Sequence, residues 1–347
     1  MDIYNKVYNE DCLTGLRKLP DNCIDCCVTS PPYFGLRDYN VEGQIGLEQS
    51  PAEYVAKLTE VFAEVYRVLK PEGTLWLNIA DSYAGSGKGA ANYPENAKKY
   101  KQSSNRGTVG NRTGYKYVTT CKDKDLIGVP WMTAFALRDK VGFYLRNDII
   151  WEKPNAMPES VTDRLTKCHE YIFLMAKSNR YYFDHEAIQE PAVSYDGRKD
   201  LTTKGSEKYI IPIMPHHKRE DLARHEGRRW QFKNLQDKGQ TPNTMHLRRA
   251  DGLPDKQYPM RNKRDVWSVN TKPDKVSHFA VYPEELIRPC ILAGCPKDGI
   301  VLDPFMGSGT TAMVARKYGR NFLGFELNPD YIKIIEQKII VSQDLFV

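Results

Sequence analysis

Residues 301–311 read Val-Leu-Asp-Pro-Phe-Met-Gly-Ser-Gly-Thr-Thr, and the fold turns on them. The apolar run Gly299-Ile300-Val301-Leu302-Asp303 predicts a short buried strand that delivers a glycine turn into a helix over 310–318. Missing side chains at Gly307 and Gly309 let a ligand approach the backbone, and free N–H groups at a helix start favour negative charge. The next strand, within Asn321 to Leu327, carries Glu326 about twenty residues on, where a carboxylate commonly holds ribose hydroxyls. No Gly-Lys-Ser/Thr follows the glycines, which excludes a standard P-loop.

Outward from this unit the pattern repeats. Between Pro51 and Leu69 the apolar residues Tyr54, Val55, Leu58, Val61, Phe62, Val65, Tyr66 and Leu69 recur at three and four, the spacing of an amphipathic helix. Pro71-Glu72-Gly73 is expected to end it, and Thr74 to Ile79 to form a buried strand. That is the grammar of a parallel sheet. Strands are also predicted over Ile3 to Asn9, Ile24 to Val28, Tyr144 to Trp151 and Tyr171 to Ala176, with helices over Pro130 to Val141 and from Val281. The expected fold is α/β, doubly wound around a mostly parallel sheet. Residues 1–183 and 265–347 form the expected catalytic domain, interrupted by two polar stretches, 84–125 and 184–264. The first is rich in Gly, Asn, Ser, Lys and Tyr and predicts a mobile insertion.

The run after Ile24 ends in Thr29-Ser30-Pro31-Pro32-Tyr33. A proline pair cannot donate to a ladder and disfavours helix, so the strand must stop in a rigid loop. A conjugated amino nitrogen is a poor nucleophile, and Ser30 Oγ with the Pro31 carbonyl would give it preorganised hydrogen-bond acceptors. Tyr33 offers a ring on which an extruded base can stack.

Together, Ser30 to Tyr33 followed by Asp303 to Gly309 resemble the S/D/N-PP-Y/F and D-x-F-x-G-x-G motifs of the DNA amino-methyltransferases. Their order is that of the family's permuted β group. The resemblance runs from about residue 4 to 338 and leaves 84–125 and 184–264 unmatched. It implies a methyltransferase fold of Rossmann-like type, S-adenosyl-L-methionine as cofactor, no metal, and Ser30, Pro31, Pro32 and Tyr33 as catalytic residues. It also implies that Asp303, Phe305, Gly307, Ser308, Gly309 and Thr310 hold the methionine half of the cofactor and Glu326 its ribose. Asp11 and Cys12 would lie near the adenine, and Phe279, in the segment Ser277 to Leu286, against the cofactor. Ile149 to Asn155 resembles an element bordering the base pocket, although Trp151 suits a core equally well. The reaction can lose its proton to water, so His278 need not act as a base. Serine before the prolines usually accompanies N4-cytosine methylation in this family, with N6-adenine as the alternative; RNA or protein glutamine as acceptor, and a vestigial cofactor site, are more distant readings.

Charge distribution fits such a substrate. The chain has 347 residues and a net charge of +6, but 84–125 and 184–264 together carry +11, leaving the rest at −5. Basic insertions on a negative core point to a polyanion, here double-stranded DNA, with 184–264 in the place of a target-recognition region. Its Arg228-Arg229-Trp230, Arg248-Arg249 and Arg261-Asn262-Lys263-Arg264 suit base edges or phosphates. No run approaches the roughly 20 apolar residues of a membrane helix, and the first residues lack a signal-peptide pattern, so a cytoplasmic protein is expected. The eight cysteines lack the spacing of a disulfide scaffold, and the single Cys23-x-x-Cys26 has no partner pair for a metal. Homodimerisation is common in the resembling family, and a separate cognate restriction endonuclease is a further expected partner.

Overall fold

The computed structural model describes residues 2–36, 41–84, 120–122, 124–191, 260–272 and 282–344. The chain divides into two compact units, Met1–Ile188 with Lys263–Val347, and Gln189–Asn262. Of the second unit the described part is a short antiparallel ladder, β6 (Glu190–Pro191) with β7 (Met260–Arg261), closed by an Arg261–Glu190 ion pair at 2.9 Å. Most of the expected insertion over 84–125 and most of the recognition region over 184–264 lie outside the described residues, as do Phe279 and His278.

The first unit is built on eight strands: β1 (Lys6–Tyr8), β2 (Ile24–Thr29), β3 (Leu69–Ile79), β4 (Tyr144–Glu152), β5 (His169–Ala176), β8 (Val266–Ser268), β9 (Ile300–Asp303) and β10 (Asn321–Phe325). Their order in the sheet is β1-β10-β9-β2-β3-β5-β4-β8. Every pairing is parallel except the two made by β5. Alternate residues go to opposite faces. Leu75, Leu77, Phe173, Leu302 and Leu323 join the core under α1 (Cys12–Arg17), α2 (Pro51–Val68) and α3 (Val129–Ala136). Trp76, Ile172, Leu174, Val301 and Phe322 join the core under α4 (Glu284–Gly294), α5 (Thr310–Lys317) and α6 (Pro329–Asp344). Both faces are covered, as a parallel sheet of continuous apolar strands requires. The doubly wound α/β expectation is met.

Local differences have local causes. Helix α2 starts where Ser50 Oγ accepts from the Glu53 N–H at 3.2 Å, with Pro51 in its first turn. It stops at Val68, and β3 begins at Leu69, so Pro71-Glu72-Gly73 forms a bulge inside the strand rather than a break before it. The register jumps there, from Ile24 opposite Leu69 to Cys26 opposite Thr74. The helix expected over 130–141 is α-helical only to Ala136; Leu137–Val141 widens into a π turn that ends at Gly142, φ +101°. Among the described residues no helix is long and apolar enough to cross a membrane.

Candidate active site

Strands β9 and β2 are neighbours and parallel, so their carboxyl ends deliver the glycine turn and the Ser30–Tyr33 loop side by side. They open on one cavity of about 440 Å³. Its walls come from both directions along the sheet: Asp11, Cys12, Phe305, Gly307 and Glu326 from the β1, β10 and β9 side, and Asn78, Trp151, Lys153 and Glu170 from the β3, β5 and β4 side. This is the edge at which open α/β sheets bind ligands.

On the glycine side, Gly307 and Gly309 adopt φ +54° and +82°. A Cβ at Gly309 would stand 2.9 Å from Ile335 Cγ1, so this glycine lets α6 pack against the turn. Gly307 N–H donates to Glu326 Oε2 at 2.7 Å, and Asn328 N–H to Oε1 at 2.8 Å. Each carboxylate oxygen keeps acceptor capacity, and burial pushes the group up to about 7. Ser308 and Thr310 also line the cavity. Asp11 caps α1, its Oδ1 accepting from Thr14 N–H and Oγ1, each at 2.9 Å. Beside it Cys12 is buried, which pushes its thiol up to about 12 and keeps it neutral.

Two of the residues expected to hold the cofactor, Asp303 and Gly309, are not on the cavity wall. Asp303 is wholly buried and is not on the cavity wall. Its Oδ1 accepts from Thr29 Oγ at 2.5 Å and Phe305 N–H at 3.0 Å, its Oδ2 from Thr311 Oγ at 2.6 Å and Tyr282 OH at 2.9 Å. Burial raises its pKa in spite of these donors. Asp303 therefore ties β2, the turn, α5 and Tyr282 together. Gly309 likewise faces α6 and not the cavity.

On the other side, Ser30, Pro31, Pro32 and Tyr33 all line the cavity. Helix α2 pins their loop, Tyr54 OH donating to the Pro32 carbonyl at 2.8 Å. Ser30 Oγ donates to Tyr33 OH at 3.3 Å, and Tyr33 OH lies 2.6 Å from Glu170 Oε2 and 3.1 Å from Asn78 Oδ1. Asn78 Nδ2 donates to Glu170 Oε2 at 3.2 Å, and Lys153 Nζ closes the cluster with an ion pair to Glu170 Oε1. Lys153 also sits 4.3 Å from the centre of the Trp151 ring, whose Nε1 donates to the Val269 carbonyl at 2.8 Å. Trp151 is thus both core and cavity wall. The sequence reading missed Asn78, Glu170 and the role of Lys153. The available signal was a carboxylate at the head of an otherwise apolar strand, His169-Glu170-Tyr171-Ile172-Phe173.

Comparison with known proteins agrees with this geometry. A family model described as DNA methylase matches residues 24–337. The chain belongs to the DNA methylase family. Type II methyltransferase M.Cfr9I of Citrobacter freundii is 39% identical over 333 residues, spanning 96% of this chain and 87% of its own. Type II methyltransferase M.SmaI of Serratia marcescens is 39% identical over 337 residues, 96% and 90% of the two chains. Among solved structures, the PvuII DNA methyltransferase (cytosine-N4-specific) shares the fold at TM-score 0.55 and 16% identity, covering 98% of this chain and 92% of its own. A Thermus thermophilus methylase complexed with S-adenosyl-L-methionine does so at TM-score 0.52 and 20% identity, with 97% and 94% covered. The methylase is a DNA amino-methyltransferase, acting on N4 of cytosine or N6 of adenine, and its cofactor is S-adenosyl-L-methionine. The site fits that cofactor. Gly307 borders the cavity without a side chain, and the half-buried Glu326 carboxylate, with lone pairs to spare, lines it as well.

Proposed function

We propose that the methylase transfers a methyl group to N4 of cytosine within a specific site in duplex DNA. The observation that carries the reading is a serine, not a carboxylate or carboxamide, at the cavity-lining position before Pro31-Pro32. Bound S-adenosyl-L-methionine supplies an electrophilic methyl group. The chain's own residues do the rest. Ser30 Oγ and the Pro31 carbonyl accept hydrogen bonds from the exocyclic amine and so hold its lone pair toward the methyl donor. The Tyr33 ring offers a stacking surface to the extruded base. Glu326, Gly307, Ser308, Phe305 and Thr310, with Asp11 and Cys12, hold the cofactor, while Asp303 and Gly309 position the turn. The surplus proton leaves to water after transfer.

Residues 184–264, nearly coincident with the second unit, are assigned to target recognition on the strength of their basic residues. A separate cognate endonuclease belongs to the same reading, supported by the Type II names of the 39% identical relatives. A homodimer rests on the family resemblance.

The test is nucleoside mass spectrometry of DNA treated with the enzyme and methyl-labelled cofactor. N4-methylcytosine that disappears in Ser30→Ala supports the proposal. N6-methyladenine overturns the base assignment.

A further inference from the structure

The Ser30 hydroxyl can serve an amine only as an acceptor, yet a serine hydroxyl both donates and accepts. If its proton pointed into the cavity, it would repel the N–H groups it has to receive. Something must hold that proton away. Among the described residues there is one route around Ser30. Tyr33 OH, at 3.3 Å, accepts a hydrogen bond from the Ser30 hydroxyl and donates its own to Glu170 Oε2 at 2.6 Å. Among the described residues no donor reaches Ser30 Oγ, so its lone pairs are left to the cavity.

Glu170 is built to be the end of this chain. It is buried, and it is met by three donors: Tyr33 OH, Asn78 Nδ2 and Lys153 Nζ. A buried carboxylate of this kind is tolerable only when paired and fully hydrogen-bonded. Tyr33 is half-buried, and desolvation of its hydroxyl beside a carboxylate pushes that group well above the ordinary range, so it remains a donor. The arrangement depends on sheet topology. Because β5 alone runs antiparallel, its first residues lie at the edge where β3 and β4 end, with Glu170 opposite Trp151. A parallel strand there would present its last residues instead.

We propose that Glu170, held by Lys153, is a positioning residue that orients the Ser30 hydroxyl through Tyr33, fixing it as an acceptor for the substrate amine. The inference rests on the reading of Ser30 as the amine acceptor. It gives Tyr33 two separable duties, the ring toward the base and the hydroxyl toward Glu170. Glutamine is a poor replacement for Glu170, because one orientation of its amide sets an NH₂ against Lys153 Nζ and the other sets it against Asn78 Nδ2 and takes away the acceptor of the Tyr33 proton.

The test is a double-mutant cycle on the full chain, read by single-turnover methyl transfer to DNA, with cofactor calorimetry and thermal melting alongside. Glu170→Gln is expected to lower the transfer rate 10- to 100-fold with cofactor affinity unchanged. Tyr33→Phe keeps the ring, removes the hydroxyl, and is expected to cost a similar factor. Because both act through one rotor, the double variant should be no slower than the slower single. Multiplicative losses, an unchanged rate in Glu170→Gln, or a loss confined to cofactor affinity or melting temperature would each overturn the proposal. Ser30→Ala separates the two levels. If it keeps full activity, the acceptor reading itself fails; if it is inactive while Glu170→Gln is not, only the positioning role fails.

Discussion

On the β9 side of the catalytic edge a buried carboxylate, Asp303, is met by four protein donors and shows nothing to the cavity. On the β5 side Glu170 is met by three, lines the cavity, and heads a chain of hydroxyls ending at Ser30. The first acid is structural: its lone pairs hold the glycine turn in one shape. The second acts at a distance, through proton orientation. A methyl donor that is the same molecule whatever DNA is bound suits the rigid half. A base that must enter, be held by its amine and leave suits the half whose last link is a rotatable hydroxyl.

The contrast should be sharpest for Ser30→Ala. Losing a preorganised hydrogen-bonding group at a reacting centre costs about 10²- to 10³-fold in rate. Single-turnover transfer should fall by that factor while the melting temperature stays put. A loss below tenfold would break the contrast, since the β5 side would then have no chemical end. Asp303→Asn should do the reverse. It places an amide N–H against hydroxyl donors in a dry site, and about 2–4 kcal/mol of stability should vanish in urea unfolding. Weaker cofactor binding should accompany it. Gly309→Ala forces a Cβ to within 2.9 Å of Ile335 at φ +82° and should cost about 1–3 kcal/mol. Gly307→Ala, whose Cβ would meet only the Phe305 carbonyl at 3.9 Å, should cost less, and equal losses would mean that crowding by α6 is not what the turn requires.

The smallest effect is pH-dependent. Glu326 is raised from the usual carboxylate range to about 7 by burial. In the apo enzyme the unfolded carboxyl loses its proton first, so this group's stabilising contribution is complete below about 4.5 and declines as pH rises toward 7. Cofactor affinity should move the other way, strengthening as the carboxylate ionises through about pH 7. Opposed slopes in thermal melting and calorimetry, both flattened in Glu326→Gln, are the expected result. Parallel slopes would place the pH-sensitive step elsewhere.

The parts legible from sequence were those set by local rules. Periodicity gave α2, the proline pair ended β2, and the glycines marked the turn after β9. The resemblance brought Ser30, Phe305 and Glu326 to one edge, where the cavity holds all three. What escaped depended on pairing. Glu170, Lys153 and Asn78 meet only because β5 is reversed between β3 and β4, and alternation within a strand carries no information about its direction. Asp303 was expected to hold the methionine half of the cofactor because the family motif begins with it. That its side chain turns toward Thr29 is a consequence of β9 lying against β2, a contact across 274 residues. The bulge at Pro71 to Gly73 escaped because a helix stop and a strand kink use the same residues.

That 274-residue span also sets a timetable. At the usual pace of about 5–20 residues per second, Ser30 is synthesised tens of seconds before Asp303 exists to receive Thr29. During that interval β2 lacks its neighbour on one side, and β1 waits for β10. A ribosome that stalls short of the glycine turn therefore releases a fragment with the Ser30–Tyr33 loop but without the turn that borders the cavity. Such a fragment is chemically silent, and modification of DNA begins only when the last strands have closed the sheet.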